Sequence, residues 1–494
     1  MKIVEMMKEK LRSWLVLDKN ANPSTIHVLE TMDFDTNCFK NEIWYRGNAS
    51  ELHQFYTQYD DMMGNVRFWQ SESSNGIDFR KAHSGLPGMI IDVLANITFD
   101  DMNEFEFDNL EAQELWEEIA KELPDDFFKN SFKKVMVQGD GAIRFVYHPN
   151  ESKYPIAEFY PADKVDFKYK HGRISEVIFK IPYLIDDKEF TLQEIHTQYG
   201  YSYKLFNNVG KQVPIIDYAE FKNLKSFKKD QKGFMCVPIL LDESSKYKGR
   251  GKSLFDGKDD DFDAFDEVFS QLIESLRDNR TKQYIPEQMI PKNQMTGETL
   301  KPNSFDGRFY KINGMTGIEG ATPQIDVENP EMDSDGLMMA YSTTLDACLQ
   351  GLISPSTLGI DVKKLDNSEA QREKEKATLY TRNRIINVAE KAIPKVVQTA
   401  LMIYDLATKG KINDEYNVVV TFGEYANPSF EAVVETVGKA KQYKVMSNER
   451  IVDEMYGDTL DEDEKQKEIE RLNAMDGYMA NEPSINNYDD VGNY

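Results

Sequence analysis

The strongest pattern in the sequence is an acidic amphipathic segment at residues 259–280, DDDFDAFDEVFSQLIESLRDNR. Its apolar residues recur with the period of an α-helix that buries one face, while the opposite face is rich in carboxylates. We therefore predict a long helix that packs along one side and presents an acidic face on the other. The apolar residues are Phe262, Phe265, Val268, Phe269, Leu272, Ile273 and Leu276, and the acidic face comprises Asp260, Asp263, Glu267, Glu274 and Asp278.

The composition is that of a folded, acidic protein. Of 494 residues, 40% are hydrophobic and 12% are aromatic, and this length allows roughly three domains with cores of their own. The 85 acidic and 59 basic residues give a formal net charge of -26. Such a charge repels phosphate groups, so it disfavours tight, general binding to nucleic acid.

The cysteines and the N-terminus bear on the compartment. Cys38, Cys236 and Cys348 lie far apart without CxxC spacing, so we expect neither a zinc site nor a disulfide framework. This pattern favours a reducing compartment. The start, MKIVEMMKEKLRSWLVLDKN, mixes charges with apolar residues at helical intervals, which favours an amphipathic helix over a signal peptide. No apolar run has the length of a membrane span, so we expect a soluble protein.

Before the acidic helix, the chain reads as helices followed by a β region. Helical patterns lie near residues 1–16, 50–60 and 109–122, the last with a stripe of Leu110, Leu115, Ile119 and Leu123. From about residue 133 to Leu241, apolar and polar residues alternate around turns such as Gly139-Asp140-Gly141 and His171-Gly172. This alternation predicts an antiparallel meander.

After the acidic helix comes a Pro/Gly/Asn-rich stretch, 285–330, with short strand candidates such as RFYKI. A second helix is predicted from Asp333, and an irregular loop, GLISPSTLGIDVKKLDNS, follows it. Ser368 and Gln371 have the spacing of a capping box, so a third long helix is predicted to start at Ser368. We expect it to be kinked by Pro394 and to end by Gly410. The stripe of the second helix is Met338, Tyr341, Leu345, Cys348 and Leu352.

The remaining chain reads as a short strand, NVVVTF, then helical patterns ending in an acidic helix, LDEDEKQKEIERLNAM. The last residues have the composition of a disordered tail. No internal repeat is present in the sequence.

One stretch imitates a nucleotide-binding site. VPILLDE at 237–243 is similar to a Walker B strand, and GRGKS at 249–253 is similar to the end of a P-loop. However, a P-loop needs a glycine five residues before its GK pair, where this chain has Lys246, and the order of the two motifs is reversed. We therefore predict a strand and a flexible basic loop that caps the acidic helix.

The sequence carries no compact catalytic motif. The six histidines form no HxxxH or HxH pair, and no GxSxG motif is present. Asp259-Asp260-Asp261 is the densest carboxylate cluster, but such a run at a helix N-terminus is typical of a solvated face. An enzyme that uses dispersed carboxylates with a metal or nucleotide stays as an alternative. Composition alone favours a solvent-exposed connector for Lys363 and Lys364, the basic pair of the irregular loop.

Taken in order, six segments resemble the portal proteins of tailed bacteriophages, in particular those of siphophages of Gram-positive hosts. They cover about residues 40–475. The segments are WYRGNASELHQFY, VQGDGAIRF with HGRISEVIFK, KGRGKSLFDGKDDDFDAFDEVFSQLIESLRDNRTKQYIPEQMI, GLISPSTLGID with NSEAQREKEKATLYTRNRI, VVTFGEYANPS, and SNERIVDEMYG.

The resemblance implies an α+β portal fold in a ring, dodecameric in the virion. By position it implies a sequence of parts: wing 1–255, stem helix one 256–284, a small α/β clip 285–330, stem helix two 331–353, tunnel loop 354–366, long wing helix 367–394, α-helical crown 395–475 and a disordered tail 476–494. The tunnel loop would bring Ser354, Ser356, Thr357, Lys363 and Lys364 to a DNA channel.

The resemblance also implies a non-enzymatic function without a cofactor. Such a ring sits at one capsid vertex for genome packaging, head–tail joining and DNA ejection, and it assembles in the host cytoplasm. The implied partners are double-stranded DNA, the terminase large subunit, a head-completion adaptor, and the major capsid and scaffolding proteins, with no membrane. Another ring or baseplate protein of the same virion is the structural alternative.

Overall fold

The computed structural model divides the chain into two compact units, Met1–Gly423 and Glu424–Tyr494. It is a mixed fold of helices and sheets. The described residues are 32–59, 67–72, 79–222, 224–230, 232–279, 282–286, 295–296, 309–312, 326–328, 333–360, 368–410, 416–423, 430–443, 445–456 and 462–479.

The first part of unit 1 is helical, as predicted. Local caps define its start: the Asp33 carboxylate accepts the Thr36 N–H at 2.8 Å, and Gly47 ends the first helix in the left-handed conformation. The elements are α1 Phe34–Arg46, α2 Ala49–Gln58, α3 Leu86–Phe99, β1 Glu106–Phe107, α4 Leu110–Ala120 and α5 Phe127–Gln138, with a short 3-10 helix at Phe68–Gln70.

Two expectations for this part were wrong in detail. Leu110 is 68% exposed, because α4 packs through Ala112, Trp116 and Ile119 instead. The expected β region does not start at 133, since KVMVQ ends α5 and Gly139 is its C-cap. The expected turn at Gly139-Asp140-Gly141 is thus the junction between a helix and a strand.

The β region follows as two sheets. One has three strands in the order β10-β2-β3, and the other has the antiparallel path β4-β5-β6-β7-β8, with β9 paired to β7. Tight turns join its long strands: His171-Gly172 and Asp186-Asp187 have positive φ angles, as mirror-image hairpin turns require. The strands are β2 Asp140–Val146, β3 Ile156–Pro161, β4 Val165–Lys170, β5 Arg173–Ile185, β6 Lys188–Thr197, β7 Gly200–Asn207, β8 Gln212–Val213, β9 Phe227–Lys228 and β10 Cys236–Leu240. Three short 3-10 helices lie at Ala162–Lys164, Ile215–Asp217 and Ala219–Phe221.

The predicted acidic helix is present as α6, Asp259–Asp278. After it come β11 Lys282–Pro286, β12 Phe309–Ile312 and β13 Asp326–Glu328, in a sheet of order β12-β11-β13. The strand predicted in RFYKI is therefore confirmed. The second predicted helix is α7, Ser334–Leu349, and the Asp333 side chain caps it by accepting the Gly336 N–H.

The third predicted helix is α8, Ser368–Lys409, which starts at Ser368 and ends by Gly410 as predicted and contains Pro394 in its interior. The strand β14, Val418–Val419, pairs with β1 and closes unit 1. The division between the units therefore falls after Gly423, later than the border expected at 395.

One large core holds unit 1 together. It contains residues of the helices α1 to α8 and of the sheet β10-β2-β3. Its largest fully buried side chains include Trp44, Trp69, Phe132, Phe255 and Phe262. Two smaller clusters lie within the β region. Burial on this scale supplies the main driving force for folding.

Unit 2 is helical in its described residues. It comprises α9 Phe430–Gln442, α10 Asn448–Tyr456 and α11 Glu462–Met479. Ile451 and Val452 are buried, and Asn448 donates a hydrogen bond to Asn473 at 2.7 Å. The helix α11 extends to Met479, so the expected tail from 476 begins with helical residues.

Several expectations lie outside the described residues: the N-terminal helix at 1–16, Lys363 and Lys364, and the tail beyond 479. Within the described part of the chain, no helix is both long and apolar enough to cross a membrane.

Candidate functional site: the helical hairpin and its flanking loops

The helices α6 and α7 form an antiparallel hairpin. Near the start of α6, the Lys258 ammonium donates to the Ala347 carbonyl at 2.6 Å, and the Cys348 thiol donates to the Asp261 carbonyl at 3.2 Å. Further along α6, the Phe265 ring meets Tyr341 at 5.2 Å. Residue numbers therefore decrease along α7 in the direction in which they increase along α6, so the two helices are antiparallel.

The two ends of this hairpin are buried to different extents. At the base, Phe262, Phe265 and Leu345 belong to the main core. At the other end, Leu276 is 56% exposed, Met338 54% and Met339 72%. The apolar stripe thus continues beyond the part that unit 1 covers, and a large exposed apolar surface is typical of a protein contact site.

The five predicted acidic residues do not have one common environment. Asp260 is exposed and lies 2.7 Å from Arg67, and Glu274 pairs with Arg277 at 3.0 Å. Glu267 and Asp278 are exposed. Asp263 is half-buried, because the segment that contains Phe68 packs against it, and it accepts the Phe68 N–H at 2.9 Å. The acidic face is therefore exposed at Asp260, Glu267 and Asp278, and it is covered at Asp263.

The covering segment, residues 67–72 and 79–85, is bound to α6 through its backbone. Besides the bond to Asp263, the Ser84 N–H donates to Asp266 at 3.0 Å and the Ala82 N–H donates to Ser270 at 2.9 Å. His83 completes the contact, with its Nδ1 2.6 Å from the buried Asp266 carboxylate. Burial raises the pKa of Asp263, although the Phe68 and Trp69 N–H groups and Arg67 counteract it.

The carboxylate cluster at the start of α6 is neutralised within the chain. Asp259 contacts the Lys40 ammonium, Asp260 pairs with Arg67, and Asp261 pairs with Lys258 at 3.1 Å. Each acid thus has a cationic partner, so the repulsion among three like charges in the first helical turn is offset.

The irregular loop after α7 begins as an ordered, partly buried turn. Ser354 is 2% exposed, and its N–H donates to the hydroxyl of Thr378 on α8 at 2.8 Å. Thr357 and Thr378 share a hydrogen bond at 2.9 Å, and the Ser354 and Ser356 hydroxyls share another at 2.7 Å. A buried Ser354 is poorly suited to line a channel, so in the described residues this stretch anchors the loop to α8. Lys363 and Lys364 lie beyond the described part of the loop.

The basic loop before α6 is not the flexible cap that we expected. Arg250 is 9% exposed and donates to the Asp140 carboxylate at 2.9 Å, while its guanidinium lies 3.8 Å from the centre of the Phe34 ring. Asp140 also accepts the Gly251 N–H at 2.7 Å. Burial outweighs the attraction of Arg250 and raises the pKa of Asp140 to about 6.

Glycine is required where this loop crosses α5. A Cβ on Gly251 would lie 2.1 Å from the Gly139 carbonyl oxygen, and one on Gly139 would lie 2.5 Å from the Gly251 carbonyl oxygen. Gly251 of GRGKS and Gly139 therefore permit a close crossing of two backbones, which is a structural role rather than a phosphate-binding one.

Sequence reasoning missed three buried polar residues of this region: Asp266, Arg250 and Thr378. For Asp266 a signal exists, since it interrupts the apolar face of α6 between Phe265 and Phe269 and such a carboxylate needs a buried partner. The partner, His83, is far away in sequence, so no local pattern could identify it.

The described residues offer little for chemistry. None of their His, Cys, Asp and Glu side chains form a group of three or more that could hold a metal ion. The three cysteines are buried, and burial raises the thiol pKa of each, for Cys348 to about 12. They stay protonated at neutral pH and are poor nucleophiles. A cavity of about 400 Å³ between the β region and the last turns of α8 has mostly apolar and tyrosine walls, with Arg144 paired to Glu194 at 2.9 Å.

Comparison with known proteins leaves the family open. No protein-family model matches the chain, and no curated protein matches it in sequence. A matching solved structure is described as the neck of a native GTA particle computed with C12 symmetry; it is 10% identical and covers 78% of this chain and 89% of that chain. Its TM-score is 0.34, which does not establish a shared fold.

Proposed function

We propose that this chain is a portal protein of a tailed bacteriophage, a non-enzymatic ring at one capsid vertex through which double-stranded DNA is packaged and ejected. The proposal rests on the sequence resemblance. The observation that carries it furthest is the antiparallel hairpin α6–α7, whose far end leaves Leu276, Met338 and Met339 exposed.

The hairpin has the properties that a stem requires. Unit 1 covers the apolar stripe of these two helices only in part. The uncovered part can pack against neighbouring subunits. Between the two helices, the described residues include three short strands, in the position of the clip that would meet the terminase and later the adaptor.

The charge of the hairpin suits DNA passage. Glu267 and Asp278 are exposed on the open part of the acidic face. Carboxylates repel phosphates, so a channel that they line would hold a duplex weakly and let it slide. Contacts to DNA would then come from the few basic residues of the loop, such as Lys363 and Lys364, without sequence preference.

The assignment of the other parts is adjusted to the fold. In this proposal the first helices and β region form the wing, residues 351–360 are the anchored root of the tunnel loop, and residues 361–367 would form its DNA-facing part. The long helix extends to Lys409, and the crown consists of unit 2, from Glu424, rather than beginning at 395.

Mass photometry and negative-stain electron microscopy of the purified full-length chain test this proposal. We expect closed rings near twelve times the chain mass of 57.0 kDa, with a central channel wide enough for a DNA duplex. A monomer at every protein and salt concentration tested, or an open filament, would contradict it.

The carboxylate-based enzyme remains the alternative, and the Arg144–Glu194 pair beside the cavity between the β region and α8 is the observation that favours it. A small molecule that raises the unfolding temperature of the wild-type chain but not of Arg144→Ala would support this alternative.

A further inference from the structure

The β region and α8 carry a concentration of basic residues within an acidic chain. Residues 222–234 contain five lysines and one acidic residue, whereas the whole chain has a formal net charge of -26. Lys228 and Lys232 of this segment are exposed, and so are Lys391 and Lys395 of α8. We call these four lysines the basic face. Because like charges repel one another, such a concentration favours an anionic partner.

The turn between β6 and β7 holds Lys228 and Lys232 close together. The backbone N–H of the residue after Lys228 donates to the Tyr199 carbonyl, and that of the residue after Lys232 donates to the Gln198 carbonyl, each at 2.9 Å. Lys228 also pairs with Gly200 in the ladder between β9 and β7. The two lysines therefore lie on either side of one turn, beside Tyr199, whose side chain is 55% exposed.

A groove brings the two lysines of α8 next to the same segment. It has a volume of about 440 Å³, lies between β10 and α8, and has Gly233 and Lys395 in its wall. Gly233 directly follows Lys232, and Lys391 precedes Lys395 by one helical turn on the same side of α8. The four lysines therefore belong to one surface.

The basic face is not neutralised within the described part of the chain. None of its four lysines forms an ion pair there, whereas Lys40, Lys134 and Lys258 each pair with a carboxylate. Each of the two segments, 222–234 and 387–399, has a single acidic residue, so lysines outnumber carboxylates in both. The charge of the face is thus available to a partner.

The chemistry of the face fits the phosphate backbone of nucleic acid better than an acidic protein. Lysine is depleted in protein–protein interfaces relative to the rest of the surface, whereas it is a common ligand of backbone phosphates. An exposed aromatic ring, here Tyr199, is a second feature of surfaces that bind nucleic acid, because bases can stack on it. These features together favour nucleic acid.

We propose that the basic face binds the phosphate backbone of nucleic acid without sequence preference. Each ammonium group would neutralise one phosphate and release its counterion, so the affinity depends strongly on salt. This contact is separate from the α6–α7 hairpin and from the irregular loop, and it does not depend on ring formation.

A closed circular DNA duplex tests the proposal, because it cannot thread through the channel of a preformed ring. Its affinity for the full-length chain is measured by filter binding between about 50 and 200 mM salt. For the wild type, we expect the logarithm of the affinity to fall with the logarithm of the salt concentration with a slope of about -3 to -4, since four phosphates are contacted. Mass photometry of the same samples reports ring formation separately.

Charge reversal of either half of the basic face is expected to weaken this binding. Lys228→Glu with Lys232→Glu, and separately Lys391→Glu with Lys395→Glu, should each lower the affinity at the lowest salt about tenfold or more and make the slope less steep by about 2. The four side chains are exposed, so circular dichroism should show an unchanged fold. Two separate pairs keep the test valid if one pair fails to fold.

The matched control is Lys188→Glu with Lys211→Glu. Both lysines are exposed and lie at the ends of β6 and β7 that are opposite to Tyr199, roughly 25 Å away along the strands. We expect this pair to keep the affinity and the slope of the wild type. Equal losses in the control, wild-type affinity in both basic-face pairs, or no DNA binding by the wild type at the lowest salt would overturn the proposal. Binding to vesicles that contain phosphatidylserine, without binding to DNA, would also overturn it and assign the face to a membrane surface.

Discussion

Asp140 is a buried carboxylate that binds Arg250 and Gly251 of the basic loop, so its protonation makes stability depend on pH. Its pKa rises from 3.8 to about 6 because burial penalises the charged form more than Arg250 stabilises it. The folded state then binds the proton more tightly than the unfolded state does. The contribution of this residue to stability therefore falls as pH rises from about 4 to 6.

Thermal unfolding of the wild type and of Asp140→Asn across pH 4–7 tests this sign. We expect the advantage of the wild type in unfolding temperature to shrink as pH rises, because the asparagine does not titrate. An advantage that grows over the same range would mean that the ion pair with Arg250 dominates over burial.

Gly251 is a second residue with a sharp expectation. Gly251→Ala places a methyl group 2.1 Å from a backbone oxygen, so one of the two crossing segments must move. We expect a loss of about 1–3 kcal/mol in the free energy of unfolding. Denaturant titrations followed by tryptophan fluorescence measure it.

The matched control for Gly251 is Gly423→Ala, because a Cβ there meets its nearest atom at an ordinary 3.5 Å. Equal stability of the two alanine variants would show that the crossing at Gly251 tolerates a side chain.

At the scale of elements, Thr378 joins the long helix to the irregular loop. Thr378→Val keeps the shape of the side chain but removes the acceptor for the buried Ser354 N–H and the hydrogen bond to Thr357. We expect a cost of about 1–3 kcal/mol and faster amide exchange in residues 352–358.

Hydrogen exchange with mass spectrometry measures this effect, and Thr378→Ser, which retains the hydroxyl, is the control. If valine and serine give the same exchange in residues 352–358, the hydroxyl does not hold the loop.

The elements that sequence predicted well are those with a sustained period. The helix α6 follows its apolar stripe, and α7 and α8 start where Asp333 and Ser368 indicate, because these signals are local. The start of the β region was misjudged, since KVMVQ has a run of apolar residues with two β-branched valines, typical of a strand, and yet ends a helix in the core. Pro394 was expected to kink α8 and the helix to end by Gly410; it continues through Pro394 to Lys409, because core packing along the helix outweighs the lost hydrogen bond.

The candidate site was less predictable than the elements. The acidic face of α6 follows from periodicity, but the packing of residues 67–72 and 79–85 on this helix depends on contacts between residues far apart in sequence, such as His83 and Asp266, which are 183 positions apart. Likewise, the burial of Ser354 could not be predicted, because Thr378, which accepts the Ser354 N–H and shares a hydrogen bond with the Thr357 hydroxyl, lies on another element.

For the whole molecule, the exposed end of the hairpin is expected to drive assembly. Met338→Glu with Met339→Glu places two carboxylates on that surface, and a buried, unpaired carboxylate strongly disfavours association. We expect the ring fraction to fall about tenfold or more, with the chain still folded. Mass photometry and circular dichroism measure the two properties.

Val209→Glu is the control, because it adds a carboxylate at an exposed apolar residue of a β-turn remote in sequence from the hairpin. Normal rings from the double variant, or equal losses in both, would remove the hairpin from the assembly surface.

The central claim is that the α6–α7 hairpins of all subunits together line the central channel of a ring. A symmetric cryo-electron-microscopy reconstruction of the purified assembly tests it most directly. The account predicts a closed ring in which Glu267 and Asp278 face the channel, and Met338 and Met339 lie against the neighbouring subunit. A ring with this hairpin on its outer surface, or a chain that forms no ring, would contradict the account.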